Sequence, residues 1–148
     1  MSIIIKILAP DDLALVCAAA PGVFDHSPRQ ELTAEFLGDP RHHLVAALDK
    51  GIVVGFVSAV HYVHPDKAAE LWINEVAVAS HHQNQGLGRQ MLDSMLSLGS
   101  KLGCRCAWVL TDSANTAAMR LYASAGGVPE AKPTVLFEFP LVENSSPD

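Results

Sequence analysis

Residues 71–89, LWINEVAVASHHQNQGLGR, decide the fold. The opening part alternates as a strand does: Ile73, Glu75 and Ala77 fall on one side, Asn74, Val76 and Val78 on the other. A polar loop, Ser80 to Asn84, leads into Gln83-x-x-Gly86-x-Gly88, and a helix must start about there. From Leu87 onward Met91, Leu92, Met95, Leu98 and Leu102 recur at helical spacing and give one buried face. The first amides of a helix have no carbonyl partners within it, and its dipole is positive at that end. With glycine at 86 and 88 an anion can rest directly on the backbone, and a pyrophosphate is the natural ligand for such a pocket. A turn that needs glycine for geometry alone is the competing reading. The pattern is neither a dinucleotide fingerprint, whose third glycine would fall at Met91, nor a phosphate loop ending in Gly-Lys-Ser/Thr.

Composition narrows the setting. A chain of 148 residues, 49% hydrophobic and 18% charged, is globular and of one-domain size; we expect that domain over 1–142, with 143–148 a frayed polar tail. The net charge of −6, without a lysine or arginine cluster, argues against nucleic acid and anionic membranes and is compatible with a cationic substrate. No apolar run is long enough to cross a bilayer, and MSIIIK lacks the basic start of a signal peptide, so the cytoplasm is the expected compartment. Cys17, Cys104 and Cys106 do not form a disulfide framework and read as core or near-core thiols. The pairs His42-His43 and His81-His82 do not chelate easily, so no metal is expected; His61 and His64 are candidates to face an acceptor cleft.

Working outward, Ile3 to Leu8 is a short strand, too apolar for an exposed edge. Pro10-Asp11-Asp12 opens a helix carrying Leu13, Val16 and Cys17 inward, and Ser27-Pro28 opens another through Leu32, Phe36 and Leu37. Residues 43–79 read as an antiparallel meander, with a turn at Asp49-Lys50-Gly51, a third strand from Ile52 to Tyr62 and a central strand from Glu70 to Val78. After the helix at Gly86, Arg105 to Leu110 is a strand parallel to the central one. Thr116 to Ala125 is a second short helix, closed by Gly126-Gly127, and Val135 to Leu141 a last strand. The order is β-α-α-β-β-β-α-β-α-β.

Gln83-x-x-Gly86-x-Gly88 after a valine-rich strand resembles the Arg/Gln-x-x-Gly-x-Gly/Ala signature of the GNAT N-acetyltransferase superfamily. Asn115-x-x-Ala118-x-x-Leu121-Tyr122-x-x-x-Gly126 resembles a second family feature, and the element order is similar over nearly the whole chain. The resemblance implies an α+β fold: a mostly antiparallel twisted sheet with a splayed parallel strand pair, flanked by helices. It also implies acetyl-CoA as cofactor and direct attack by an amine in a ternary complex. Amides at Gln83, Gln85, Gly86, Leu87, Gly88 and Arg89 would then hold the pyrophosphate, with Arg89 adding charge or pointing to solvent. The edge of the central strand at Val76, Ala77 and Val78 would pair with the pantetheine arm, and Asn115 would meet that arm or cap its helix.

Tyr122 is the candidate acid for the leaving thiolate, its phenol having an ordinary pKa of about 10. Glu75, just before the cofactor-binding residues, is the candidate base, directly or through water; pairing with a nearby cation is its other reading. Asp112, ending the neighbouring parallel strand, is either a second anchor for a cationic substrate or a helix cap. The segment around Asn74–Val78 and His82–Gly86 is similar to the small aminoglycoside 3-N-acetyltransferases, although Asn84-Gln85 stands where those have Arg-Arg or Arg-Gln. That likeness implies a role in antibiotic resistance and a polycationic acceptor held by Glu75, Asp112 and Asp25 or Glu70. A polyamine, amino acid or protein amine is the alternative acceptor, and a non-catalytic acyl-CoA-binding regulator the alternative class. A homodimer is expected, as is common in the family.

Overall fold

The structure, a computed structural model, describes residues 2–142; the expected polar tail, 143–148, lies outside the described residues. Strand β1 (Ile3–Ile7) leads through a 3-10 turn (Pro10–Asp12) into the short helix α1 (Leu13–Cys17), and α2 (Gln30–Gly38) follows. The meander β2 (His42–Asp49), β3 (Ile52–Tyr62) and β4 (Glu70–Val78) comes next, then α3 (Leu87–Lys101), β5 (Cys106–Val109) and α4 (Thr116–Ser124). The sheet is five-stranded in the order β1-β2-β3-β4-β5. The first three pairings are antiparallel and β4–β5 is parallel, because α3 carries the chain across between them.

The two middle strands are buried on both faces, so their sequence is a nearly continuous apolar run. On one face Val45, Val57, Ala59, Leu71 and Ile73 pack against Leu87, Met91, Leu92 and Met95 of α3. On the other, Leu44, Ala46, Leu48, Val53 and Phe56 pack with Val16, Val23 and Leu37 around α1 and α2. Met91 and Met95 are wholly enclosed, each contributing about 1.5–3 kcal/mol by burial.

One irregularity in β4 governs the site. Ala59 pairs with Ile73, but the next residue of β3, Ser58, pairs with Glu75, so Asn74 is the extra residue of a bulge. Simple alternation would put Ile73, Glu75 and Ala77 on one face. Instead Ile73 lies under α3, whereas Ala77 packs with the α1–α2 cluster, and Val76 and Val78 take the α3 side. The bulge carries Glu75 to the α1–α2 face.

Other expectations are corrected. β1 is the outer strand of the sheet, with Ile4 and Ile7 exposed; only Ile3 and Ile5 are half-buried, packed toward α3. The inward position of the last turn of α3 is Gly99, against Leu71, while Leu102 is exposed. Cys17 and Cys106 are exposed rather than core thiols, Cys106 on β5, outside which no strand lies among the described residues. Val135 to Leu141 forms no strand: with prolines at 133 and 140 it pairs with nothing described, and Val135, Leu136, Phe137, Phe139 and Leu141 are 71–93% exposed.

Candidate functional site

Two features meet at the C-terminal half of β4. β5 pairs with β4 only from Glu70↔Cys106 to Ile73↔Val109, so beyond Ile73 the edge of β4 facing β5 is unpaired within the sheet. Hydrogen-bonding groups on such an edge are available to an extended, amide-bearing ligand. Ahead of it, α3 starts at Leu87 with Gly86 as N-cap in the left-handed region, φ 78, and no side chain caps its opening amides. A Cβ placed on Gly86 would meet only the Gln90 side chain, at 3.9 Å, so the ground before the helix start is open. An uncapped start of a long helix beside a free strand edge fits a cofactor made of a pyrophosphate and an amide-rich arm.

The individual residues divide. Gly88 keeps its side-chain space for packing: a Cβ there would lie 3.5 Å from Leu121 of α4 and 4.0 Å from Val76, so this glycine lets two helices and the strand close up. Gln83 spends its side-chain amide on the Val78 carbonyl, 3.0 Å away, tying the loop to the end of β4. Gln85 is exposed in the same loop. Arg89 donates from Nε to both carboxylate oxygens of Asp93, at 3.0 and 3.1 Å, an exposed pair one turn along the helix. Asn115 caps α4, its Oδ1 accepting from the Ala118 amide at 3.0 Å. His82 donates from Nε2 to Asp49 Oδ2 at 2.8 Å and so ties the loop ahead of α3 to the end of β2.

Across the sheet from α3 a pocket of about 990 Å³ opens between α2 and the strands. Its walls include Phe24, Phe36, Phe56, Leu32, Leu44 and Val16, with Glu75, Ser58, His26 and Arg29 as polar lining. Phe24 stacks on Phe56 with ring centroids 4.2 Å apart, and the buried Ser58 faces Glu75 in register. Partial burial pushes the Glu75 carboxyl above its ordinary value, and the Asp25 carboxyl, which repels it and hydrogen-bonds with it, pushes it the same way. A carboxyl beside a second carboxyl binds a proton more readily than a lone one, so Glu75 is equipped to take one from an ammonium.

Tyr122, on α4, is half-buried against the α3 cluster, and burial raises its phenol above the ordinary value, so it stays protonated at neutral pH. Asp112 is exposed and uses Oδ1 to accept from the Ala114 amide at 2.9 Å; it is not part of the pocket lining. Glu70 is held by Arg105 at 3.3 Å and His64 at 3.8 Å. His61 does not face the pocket: it pairs in register with Leu71 on the α3 side and lies 2.7 Å from His43, whose pKa burial lowers to about 4. Among the described residues no cluster of side chains suited to a metal is found, and no helix is long and apolar enough to cross a membrane.

The aromatic wall was not read from the sequence. Phe24 comes from a loop, Phe36 from α2 and Phe56 from β3, and only the packing of α2 across the sheet brings them together.

Comparison with known proteins follows the same lines. The structure is similar to an aminoglycoside acetyltransferase from an uncultured soil metagenomic sample, with a TM-score of 0.82 and 25% identity over 96% of this chain and 100% of that one. An aminoglycoside N-acetyltransferase in complex with CoA aligns with a TM-score of 0.69 and 19% identity, over 95% of this chain and 96% of that one. A ribosomal-protein-alanine N-acetyltransferase from Brucella melitensis has a TM-score of 0.73 and 14% identity, over 93% and 100%. The last two likenesses are of fold. No curated protein matches the sequence. Residues 12–126 match the acetyltransferase (GNAT) family, so the chain belongs to that family and is an acetyl-CoA-dependent acetyltransferase.

Proposed function

We propose that this enzyme acetylates a primary amine of a cationic small molecule, with Glu75 as base and Tyr122 as acid. The observation that carries the reading is the bulge at Asn74, by which Glu75 lines the pocket while the adjoining edge of β4 stays free. Acetyl-CoA, when bound, supplies the acetyl thioester. The opening amides of α3 hold its phosphates, and the free edge at Val76, Ala77 and Val78 pairs with its arm. Gln83, Gln85, Gly86, Leu87, Gly88 and Arg89 shape that helix start, and Asn115 holds the facing loop in place through its cap.

The Glu75–Asp25 pair receives the ammonium, orients it by charge and takes one proton, leaving a neutral amine. Attack forms the N–C bond as the C–S bond breaks. Tyr122 gives its proton to the departing sulfur and is restored by the proton the new amide sheds. In sum, an ammonium and a thioester become an amide, a thiol and one proton. The positions of Glu75 and Tyr122 on separate elements suit direct transfer in a ternary complex. Cys104 suits no covalent relay, since burial and the nearby Cys106 keep its thiol protonated.

Two acceptor classes meet this description. Aminoglycosides, with a role in resistance, are favoured by what the structural relatives act on. An amine on an apolar body is favoured by the lining of the pocket. We also read the enzyme as a homodimer, supported by the apolar, exposed segment from Val135 to Leu141 and, separately, by the position of β5 at the end of the sheet order. A light-scattering mass of twice the chain mass supports that assembly, and the single-chain mass contradicts it. The test of function is mass spectrometry of amines incubated with enzyme and acetyl-CoA. We expect a mono-acetylated product whose formation falls by about 10²–10³-fold in Tyr122→Phe; an undiminished rate in that variant removes Tyr122 as the acid.

A further inference from the structure

We infer that the acceptor pocket takes a primary amine bearing one ammonium on an apolar, ring-sized body, and selects against polycations. The inference rests on the reading of Glu75 as the residue that receives the amine, and it narrows the acceptor class. Its ground is the distribution of charge. The acids that could hold several ammonium groups are dispersed: Asp112 is spent on a turn, and Glu70 is paired with Arg105 and His64. Acidity at the pocket is confined to the single Glu75–Asp25 contact, whereas Arg29 and His26 line it on the α2 side. The Arg29 guanidinium is paired with Glu31 at 3.0 Å, which occupies that carboxylate as well, so a second ammonium in the pocket would lose water without gaining an unpaired anion from the lining.

Most of the remaining pocket surface is apolar. Phe24, Phe36 and Phe56 give aromatic faces, Leu32, Leu44 and Val16 fill between them, and about 990 Å³ accommodates a ring and a short chain. The neutral polar lining is Ser27, Thr33 and Ser58, whose hydroxyls add no charge for a second ammonium. The same face of the sheet carries a further aromatic platform. Trp72 sits between Leu71 and Ile73 and so points away from α3, and it stacks on Trp108 with ring centroids 5.0 Å apart. That stack lies outside the pocket lining; an apolar amine gains at the phenylalanine faces of the pocket, and its one charge reaches Glu75. The chemistry stays that of acetyl transfer: the N–C bond forms, the C–S bond breaks, and the ammonium gives up two protons, one leaving on the thiol and one passing to solvent.

The test is kcat/KM for 2-phenylethylamine, 1,4-diaminobutane and sisomicin, with calorimetric titration of each amine into the enzyme in the presence of CoA. We expect 2-phenylethylamine to lead both polyamines by about a hundredfold and to show measurable binding. Leu32→Asp, at a half-exposed pocket position on α2, should move the ratio toward the diamine by about tenfold. Preference of the wild-type enzyme for sisomicin or the diamine overturns this inference and leaves acetyl transfer standing. Turnover of none of the three, with acetyl-CoA still bound, overturns both.

Discussion

Glu75 is where the account can be tested at single-residue scale. Its pKa is raised by partial burial and by the Asp25 carboxyl, so as a base it becomes competent only once pH passes that raised value. The acidic limb of kcat/KM should lie above the ordinary glutamate range, and Asp25→Asn should move it to lower pH by removing the neighbouring charge. A limb that stays put would separate Asp25 from the base. The same shift has a consequence for stability. An acid whose folded pKa is raised favours its protonated form in the fold; that contribution is present below the ordinary glutamate value and is lost as pH rises through the folded one. Glu75→Gln should accordingly melt no lower than wild type at pH 8, with the difference vanishing near pH 4. A clear loss of stability at pH 8 would mean that the carboxylate is structurally required. The identity of Glu75 as a candidate was legible from its place before a glycine turn, but its neighbour was not. Asp25 lies 50 positions earlier in the numbering, in a loop whose path depends on how α1 and α2 pack.

Among the elements, β4 and α3 were the most legible, because strand alternation, a polar loop and a heptad-like apolar face occupy consecutive stretches of one short segment. The bulge at Asn74 escaped that reading. Its cause is pairing with β3, and a period-2 pattern read along β4 alone carries no trace of one extra residue. The consequence is large, since without the bulge Glu75 would share a face with Ile73 under α3. The last strand failed for the opposite reason: Val135 to Phe139 has the composition of a strand, but composition supplies no partner, and none is formed. At the start of α3 the prediction concerns Gly86. Its φ of 78 costs an alanine about 1–2 kcal/mol, and the new methyl would enter the open space before the helix amides. Gly86→Ala should weaken acetyl-CoA binding by about tenfold or more, beyond its effect on melting. Unchanged affinity would place the phosphates elsewhere.

At the scale of the molecule, the sheet divides the labour. One face, under α3, is a dense apolar core that fixes the splayed strands; the other, under α1 and α2, leaves a pocket rather than closing over it. The fold class and the order of elements up to α4 were visible in the sequence, because each element announces itself by local periodicity. The pocket was not, because its walls come from a loop, two helices and three strands that meet only after packing. The likeness to aminoglycoside acetyltransferases implied a cleft with several acids, yet the acids are spread over turns and surface pairs, with one pair at the pocket. The central claim is that an amine attacks acetyl-CoA with Glu75 as its base. The most direct measurement is amine-dependent release of free thiol from acetyl-CoA by wild type and Glu75→Gln. The account predicts one thiol per acetylated amine, a rate lower by about 10²–10⁴-fold in the variant, and unchanged acetyl-CoA affinity. An equal rate in both proteins would contradict it.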